Sequence, residues 1–402
     1  MKSKWKTKRL GDISTINYGY TAKASFNKAD SLFLRITDIQ DNFVDWKTVP
    51  YCSISEIDYE KYKLIDNDIV FARTGATTGK SYLIKKPPKS VAASYLIRLR
   101  LTDCDILPEF IAKYFQTPTY WNDISLGIVG SAQGGFNASK LSDLIIPVPP
   151  IEEQKRIVEI LDKAFEGIAQ AEANTRRNLI NARELFDSCL DNIFIEKGDN
   201  WIESILSQVC QFENGDRGKN YPNREEYVKS GIPWINTGHI QPDGTLSQSE
   251  MNFISREKYE TLRGGKIQPG DLVYCLRGAT IGKTALVDPL SIGAIASSLV
   301  ILRPNKSLDS KFLYYFLISS PARKQIKLYD NGAAQPNLGA KSVAKYIIYF
   351  PEFSEQKNIV KKLDILAEET KKLETIYQRK LEAIAELKQS ILEKAFTGQL
   401  SQ

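Results

Sequence analysis

Near the C-terminus the positions Ile359, Leu363, Leu366, Thr370, Leu373, Tyr377, Lys380, Ile384, Leu387 and Ile391 form a mostly apolar seam. The alternating four- and three-residue spacing predicts a long helix with coiled-coil periodicity. A looser seam, Ile157, Leu161, Ala164, Ile168, Ala171, Thr175, Leu185, Cys189 and Ile193, predicts a second long helix mid-chain. Each opens after proline: Pro147-Val148-Pro149-Pro150 before one, Pro351 before the other. Glu152, Glu153 and Glu355 then suit the positive end of the helix dipole, and Ser354 is a candidate N-cap. A narrow apolar stripe on so long a helix needs a partner, and antiparallel pairing of the two helices is the economical solution. Packing of each helix on its own module, or pairing between chains, stays open.

The remaining sequence shows short β-like runs separated by turn residues, among them Asp68-Ile69-Val70-Phe71-Ala72, Tyr95-Leu96-Ile97-Arg98-Leu99 and Ser298-Leu299-Val300-Ile301-Leu302. Short helices fit Glu109–Gln116 and Ser310–Ile318. The expected architecture is α+β: modules at 1–150 and 198–352, and helices at 151–197 and 353–402 that form an antiparallel coiled coil. The two halves are copies. Glu152–Asp162 returns as Ser354–Asp364 with seven of eleven residues identical, at an offset of 202. Gly75-Ala76-Thr77-Thr78-Gly79-Lys80 returns as Gly278-Ala279-Thr280-Ile281-Gly282-Lys283. Ala93-Ser94-Tyr95-Leu96 returns as Ala296-Ser297-Ser298-Leu299. A period this long is a duplicated domain with a pseudo-two-fold repeat, far beyond solenoid periods.

Charge follows the modules. Residues 1–145 carry 20 Lys+Arg against 15 Asp+Glu, and residues 198–350 carry 18 against 14, whereas the helices carry no positive excess. That modest basicity fits phosphate contact. No apolar run approaches the ~18 residues of a membrane span. The five cysteines lack a Cys-x-x-Cys pair and suggest a reduced, cytoplasmic setting. One histidine, His239, excludes multi-histidine metal sites. The Gly-Ala-Thr-x-Gly-Lys loops have one residue too few between glycines for a phosphate-binding loop, and β-like sequence follows them instead of a helix. Binding fits this chain better than catalysis, and neither a metal nor a cofactor is expected on it.

Four pairs of polar segments are candidates for contact with double-stranded DNA. The glycine loops offer Arg73, Thr77 and Lys80 in one copy and Arg277, Thr280 and Lys283 in the other. Phe33–Ile39 supplies Arg35, Thr37 and Asp38, and Trp234–Ile240 supplies Asn236, Thr237 and His239. Two amide-bearing loops supply Gln133 and Asn137, and Gln335 and Asn337. Tyr20 and Lys23 face Arg217 and Lys219 in the weakest pair. Arginine suits guanine, asparagine suits adenine, and lysine makes point contacts with phosphate. For each loop the plainer reading is a turn with solvated side chains.

Together the paired Glu-Gln-Lys helix openings, the glycine loops, Leu10-Gly11-Asp12-Ile13 and the ending Leu387-Lys388-Gln389-Ser390-Ile391-Leu392-Glu393-Lys394-Ala395-Phe396-Thr397-Gly398 resemble the DNA-specificity subunits of type I restriction–modification systems. Leu206-Ser207-Gln208-Val209 departs from the usual Leu-Gly-Asp-Val at the start of the second module. The resemblance implies two target-recognition domains that each read one half of a split, asymmetric DNA site. It implies that the two helices, whose seam the spacing places at Ile157, Leu161, Ile168, Ile359, Leu363, Leu366, Leu373, Ile384, Leu387 and Ile391, set the gap. The implied partners are two modification (methyltransferase) subunits carrying S-adenosylmethionine and, when bound, restriction subunits using ATP and Mg2+. A protein-interaction scaffold or decoy without direct DNA reading is the alternative.

Overall fold

The computed structural model describes residues 5–40, 43–128, 135–329 and 338–400. The chain divides into two units, Met1–Arg176 with Arg379–Gln402, and Arg177–Gln378. Each takes part of both long helices, Ile151–Glu196 and Phe353–Phe396.

In the first unit a four-stranded antiparallel sheet runs in the order Ser14–Tyr18, Leu96–Leu101, Ile69–Ala72, Ser81–Leu83. Successive side chains of a strand point to opposite faces, and both faces of this sheet are buried. Ile69, Phe71, Ile97 and Leu99 pack on one side with Phe110, Ile111 and Tyr114. Val70, Ala72 and Leu96 pack on the other with Leu34 and Ile84. A smaller sheet joins Tyr51–Cys52, Ser31–Leu34 and Ser90–Ala92, its last pair parallel. The helix expected at Glu109–Gln116 spans Pro108–Tyr114.

The second unit repeats this wiring. Its sheet runs Cys210–Asn214, Leu299–Pro304, Leu272–Cys275, Thr284–Leu286. Leu272, Tyr274, Val300 and Leu302 face the helices, while Val273, Cys275, Leu299 and Ile301 face away. A parallel pairing of Ile232–Ile235 with Ala294–Ile295 recurs in its smaller sheet.

Within each unit the two helix segments pack together. In the first, Ile157 and Leu161 share a core with Leu392, Ala395 and Phe396, and farther along Lys388 lies over the Phe165 ring. In the second, Arg183 Nε donates to Glu374 at 2.7 Å, and farther along Leu190 and Phe194 share a core with Leu363. Both pairs therefore run antiparallel. Ile168 is buried, and Ile359, Leu366, Ile384 and Ile391 are half-buried. Leu373 and Leu387 are corrections to the expected seam, being 38% and 50% exposed. A strict seven-residue pattern drifts by roughly 20° per heptad on an α-helix of 3.6 residues per turn, so the buried line has moved to Leu392 and Ala395 by the end of the helix. Ser354 is a further correction: the helix starts at Phe353, one residue before the expected cap.

The repeated Glu-Gln at the helix openings has a structural cause. Gln154 and Gln356 are fully buried. Gln154 Oε1 accepts from Leu107 N, and its Nε2 donates to the carbonyls of Asp105 and Pro149, each at 2.9 Å. Gln356 does the same with Asp309 N, Ser307 O and Pro351 O, each at 2.8 Å. One side-chain amide thus satisfies three backbone groups that burial would otherwise leave unpaired. A second duplicated lock is the bidentate pairing of Arg100 with Asp68 and of Arg303 with Asp271.

Candidate nucleic-acid interface

The glycine loops leave the central strands Ile69–Ala72 and Leu272–Cys275 and form short 3-10 turns at Gly75–Thr77 and Gly278–Thr280. Gly75 and Gly278 both sit at φ +75°, a left-handed conformation that side-chain-bearing residues avoid. Lys80, Arg277 and Lys283 are exposed, Thr77 is half-buried, and Thr280 Oγ1 lies 3.3 Å from Cys275 Sγ.

The two arginines are not equivalent. Phe136 N donates to Arg73 O and Leu338 N to Leu276 O, both at 2.9 Å, so Leu276 occupies the place of Arg73 and Arg277 that of Thr74. Arg277 projects freely before its turn. Arg73 is fixed: Nε donates to Ser94 O at 3.0 Å, and the guanidinium lies 4.9 Å from the centre of the Tyr18 ring. Tyr18 is itself held, its hydroxyl accepting from Ala138 N at 3.2 Å. Tyr95, 63% exposed, lies beside this group, with its carbonyl accepting from Arg73 N. From the sequence, Tyr18 only opens the fourth pair without being a contact candidate, and Tyr95 is absent from the candidates. The available signal was the one changed residue in Ala-Ser-Tyr-Leu against Ala-Ser-Ser-Leu.

Asp38 and His239 turn inward. Asp38 accepts from Arg35 N at 2.8 Å and also binds the Arg35 guanidinium, capping the turn Ile36–Asp38. His239, 4% exposed, accepts Asn236 N at Nδ1 at 3.1 Å and closes the equivalent turn Thr237–His239. Asn236 spends its side-chain oxygen on Gly238 N. Thr37 is exposed and Thr237 half-buried. Both turns therefore use a side-chain acceptor three residues on, carboxylate in one copy and imidazole in the other.

Burial holds the His239 imidazole below its ordinary pKa. The unfolded chain takes up a proton near pH 6.5 that the folded side chain refuses, so stability is full above that pH and declines as pH falls through the window beneath it. His239→Asp, which restores the first copy's acceptor, is expected to remove that decline. Melting curves of both proteins at pH 7.5 and 5.5 check it, and parallel losses in the two proteins would contradict it.

Asn137 caps the helix Ala138–Ser142 by accepting from Lys140 N. Its equivalent in the second copy is Gly339, also a helix cap. Gln133, Gln335 and Asn337 lie outside the described residues. In the fourth pair, Gly19 and Gly215 pass so close to the Ala93 and Ala296 carbonyls that a Cβ would fall 2.2 and 2.6 Å away. Tyr20 rests on Tyr62 at 5.3 Å, and Lys23, Arg217 and Lys219 are exposed. None of Lys23, Lys80, Arg217, Lys219, Arg277 and Lys283 is ion-paired with a described residue. Among the described residues no group of three or more His, Cys, Asp or Glu could hold a metal, and no helix is long and apolar enough to cross a membrane.

Two units of one wiring, each with free cations around glycine loops, define a duplicated nucleic-acid recognition protein. A family model, the type I restriction modification DNA specificity domain, matches residues 2–182 and again 198–383. The chain belongs to that family and is a DNA-target-recognition subunit of the type I restriction–modification class. It is 24% identical to the type I restriction enzyme EcoKI specificity subunit of Escherichia coli K12, covering 99% of this chain and 89% of that one. The fold is shared with the HsdS subunit of Thermoanaerobacter tengcongensis (TM-score 0.62, 19% identity, 98% and 97% of the two chains). It is shared more closely with a chain from a structural study of type I restriction–modification complex assembly and conformational transition (TM-score 0.77, 19% identity, 98% of both chains).

Proposed function

We propose that each unit reads one part of a two-part, asymmetric DNA target and that the chain itself carries no catalytic centre. The observation that supports this most is the contrast within the repeat. Buried frames coincide residue by residue, as with Gln154 and Gln356 or Asp68 and Asp271, whereas the positions around the loops differ: exposed Tyr18 and Tyr95 stand against Asn214 and Ser298, and half-buried Arg73 against buried Leu276. A frame kept while its exposed groups change suits two readers of unlike sequence, since base edges are told apart by donor and acceptor pattern. Methylation, with S-adenosylmethionine, belongs in this reading to two modification subunits. ATP- and Mg2+-driven cleavage belongs to restriction subunits when these are bound.

Docking of those subunits has support in the second unit. Ile180 and Leu185 of the first long helix, and Ile365 and Ile376 of the second, are 54–56% exposed and are available to a partner. A scaffold without direct DNA reading is not favoured, because it gives the unpaired loop cations no task. Nuclease protection of a randomised duplex library by the chain assembled with its modification subunits tests the proposal. Two protected motifs separated by indifferent sequence are expected, and protection without sequence preference would reject it.

A further inference from the structure

The second unit contains a cavity of about 680 Å3, of whose charged lining residues the recognition argument uses only Lys283. That volume lies in the range of roughly 300–1,000 Å3 typical of sites for a ligand larger than a simple ion. Phe186, Tyr314 and Ile326 give it apolar lining, and Lys283, Arg323 and Lys327 give it cations. Arg323 and Lys327 lie four residues apart on the helix Ser320–Tyr329 and so share one face. All three cations are exposed, and none is ion-paired with a described residue. Two acidic side chains also line the cavity, but Glu374 is taken by Arg183 at 2.7 Å. Three free cations therefore face one uncommitted carboxylate, that of Asp187.

The first unit is built differently at this place. A Cβ on Gly282 would meet Ile326, and one on Gly79 would meet Ile124, which fixes the correspondence of the two helices. At that offset Trp121 stands for Arg323 and Ser125 for Lys327. The Trp121 indole lies directly on the loop glycine, 2.8 Å from where a Gly79 Cβ would be. An aromatic ring stands in the first unit for one of the second unit's two helix cations, and a serine for the other. The loop lysine is common to both copies as Lys80 and Lys283, and the two helix cations are not.

We propose that this cavity holds the sugar–phosphate backbone of one DNA strand beside the part of the target read by the second unit, with phosphates on Lys283, Arg323 and Lys327 and deoxyribose against the apolar wall. The proposal rests on the DNA-reading function above. Lys283 connects the two, because it belongs to both the recognition loop and the cavity. Backbone contacts position a duplex without carrying sequence information. The second unit consequently anchors DNA while the first contributes proportionally more base discrimination.

The test uses the chain assembled with its modification subunits and a duplex bearing the mapped target. Each phosphate contact adds about 0.9 to the slope of log affinity against log salt. Arg323→Gln with Lys327→Gln is expected to flatten that slope by about 2 between 50 and 200 mM salt and to leave base preferences unchanged. Neutral methylphosphonate linkages beside the second unit's part of the target should weaken the native complex several-fold and the double variant little. Equal slopes with equal methylphosphonate sensitivity would overturn the proposal. If the double variant fails to assemble, the methylphosphonate scan of the native complex decides alone. Losses concentrated beside the second part support the cavity, and losses equal beside both parts reject it. A native complex with no sequence preference would instead refute the DNA-reading function itself.

Discussion

Replacing Asp271 by alanine is expected to destabilise the second unit by about 3–5 kcal/mol while leaving the first unit's melting unchanged. Asp271 is fully buried, and its carboxylate takes both Arg303 Nε and NH2 at 2.8 Å, as well as Gln268 N at 2.8 Å. Removal strands a guanidinium at the edge of the core with the Lys266 carbonyl, 3.2 Å from NH2, and Glu213, 3.6 Å from NH1, to answer it, and frees the backbone amide that closes the turn into the strand Leu272–Cys275. A broken buried pair costs more than the pair contributes, because the surviving charge keeps its desolvation penalty. The same geometry binds Asp68, Arg100 and Ile65 N in the first unit, so Asp68→Ala should move the other transition. Calorimetric scans of the two variants check this, and a shift worth less than about 1 kcal/mol would show the pair to be as weak as a solvated surface bridge.

Arg73→Ala is expected to lower discrimination at a single G·C pair, in the part of the target read by the first unit, by about 1–3 kcal/mol. The guanidinium is already oriented by Ser94 O and the Tyr18 ring, so its two outer nitrogens are presented as a fixed fork with little ordering left to do on binding. Arg73→Lys should not rescue, since an ammonium makes neither the planar stack nor the two-pronged contact. The other part of the target should be unaffected, because Leu276 stands at the equivalent place. Competition by duplexes with single base-pair changes reads the effect. Uniform weakening against every competitor would mark Arg73 as a phosphate contact instead.

How much of this was legible beforehand depended on whether a residue's type dictates its role. The helix openings and glycine loops were legible because backbone requirements produced them: a buried amide clamp at Gln154 and Gln356, and positive φ at Gly75 and Gly278. Asp38 and His239 were misleading for the opposite reason. Chemically unlike side chains do one job, accepting a backbone N–H at a turn, and their difference looks like a change of message. Arg73 and Arg277 looked equivalent because matching by residue type ignores the one-residue register that the backbone hydrogen bonds set. Leu373 and Leu387 left the seam through the drift between a seven-residue pattern and the helical turn, which accumulates only over the full helix. Tyr18 and the Arg323–Lys327 pair emerge only when distant segments are brought together, the former by strand pairing and the latter by packing of a short helix on a loop.

A map of the bases modified in random-sequence DNA by the assembled complex bears most directly on the duplicated reader. Two short motifs of unequal sequence, separated by a stretch of indifferent bases, are expected, with Arg73→Ala altering one motif alone. A single continuous motif, a palindrome, or a variant that changes both motifs together would contradict a chain that repeats its frame to read two different sequences.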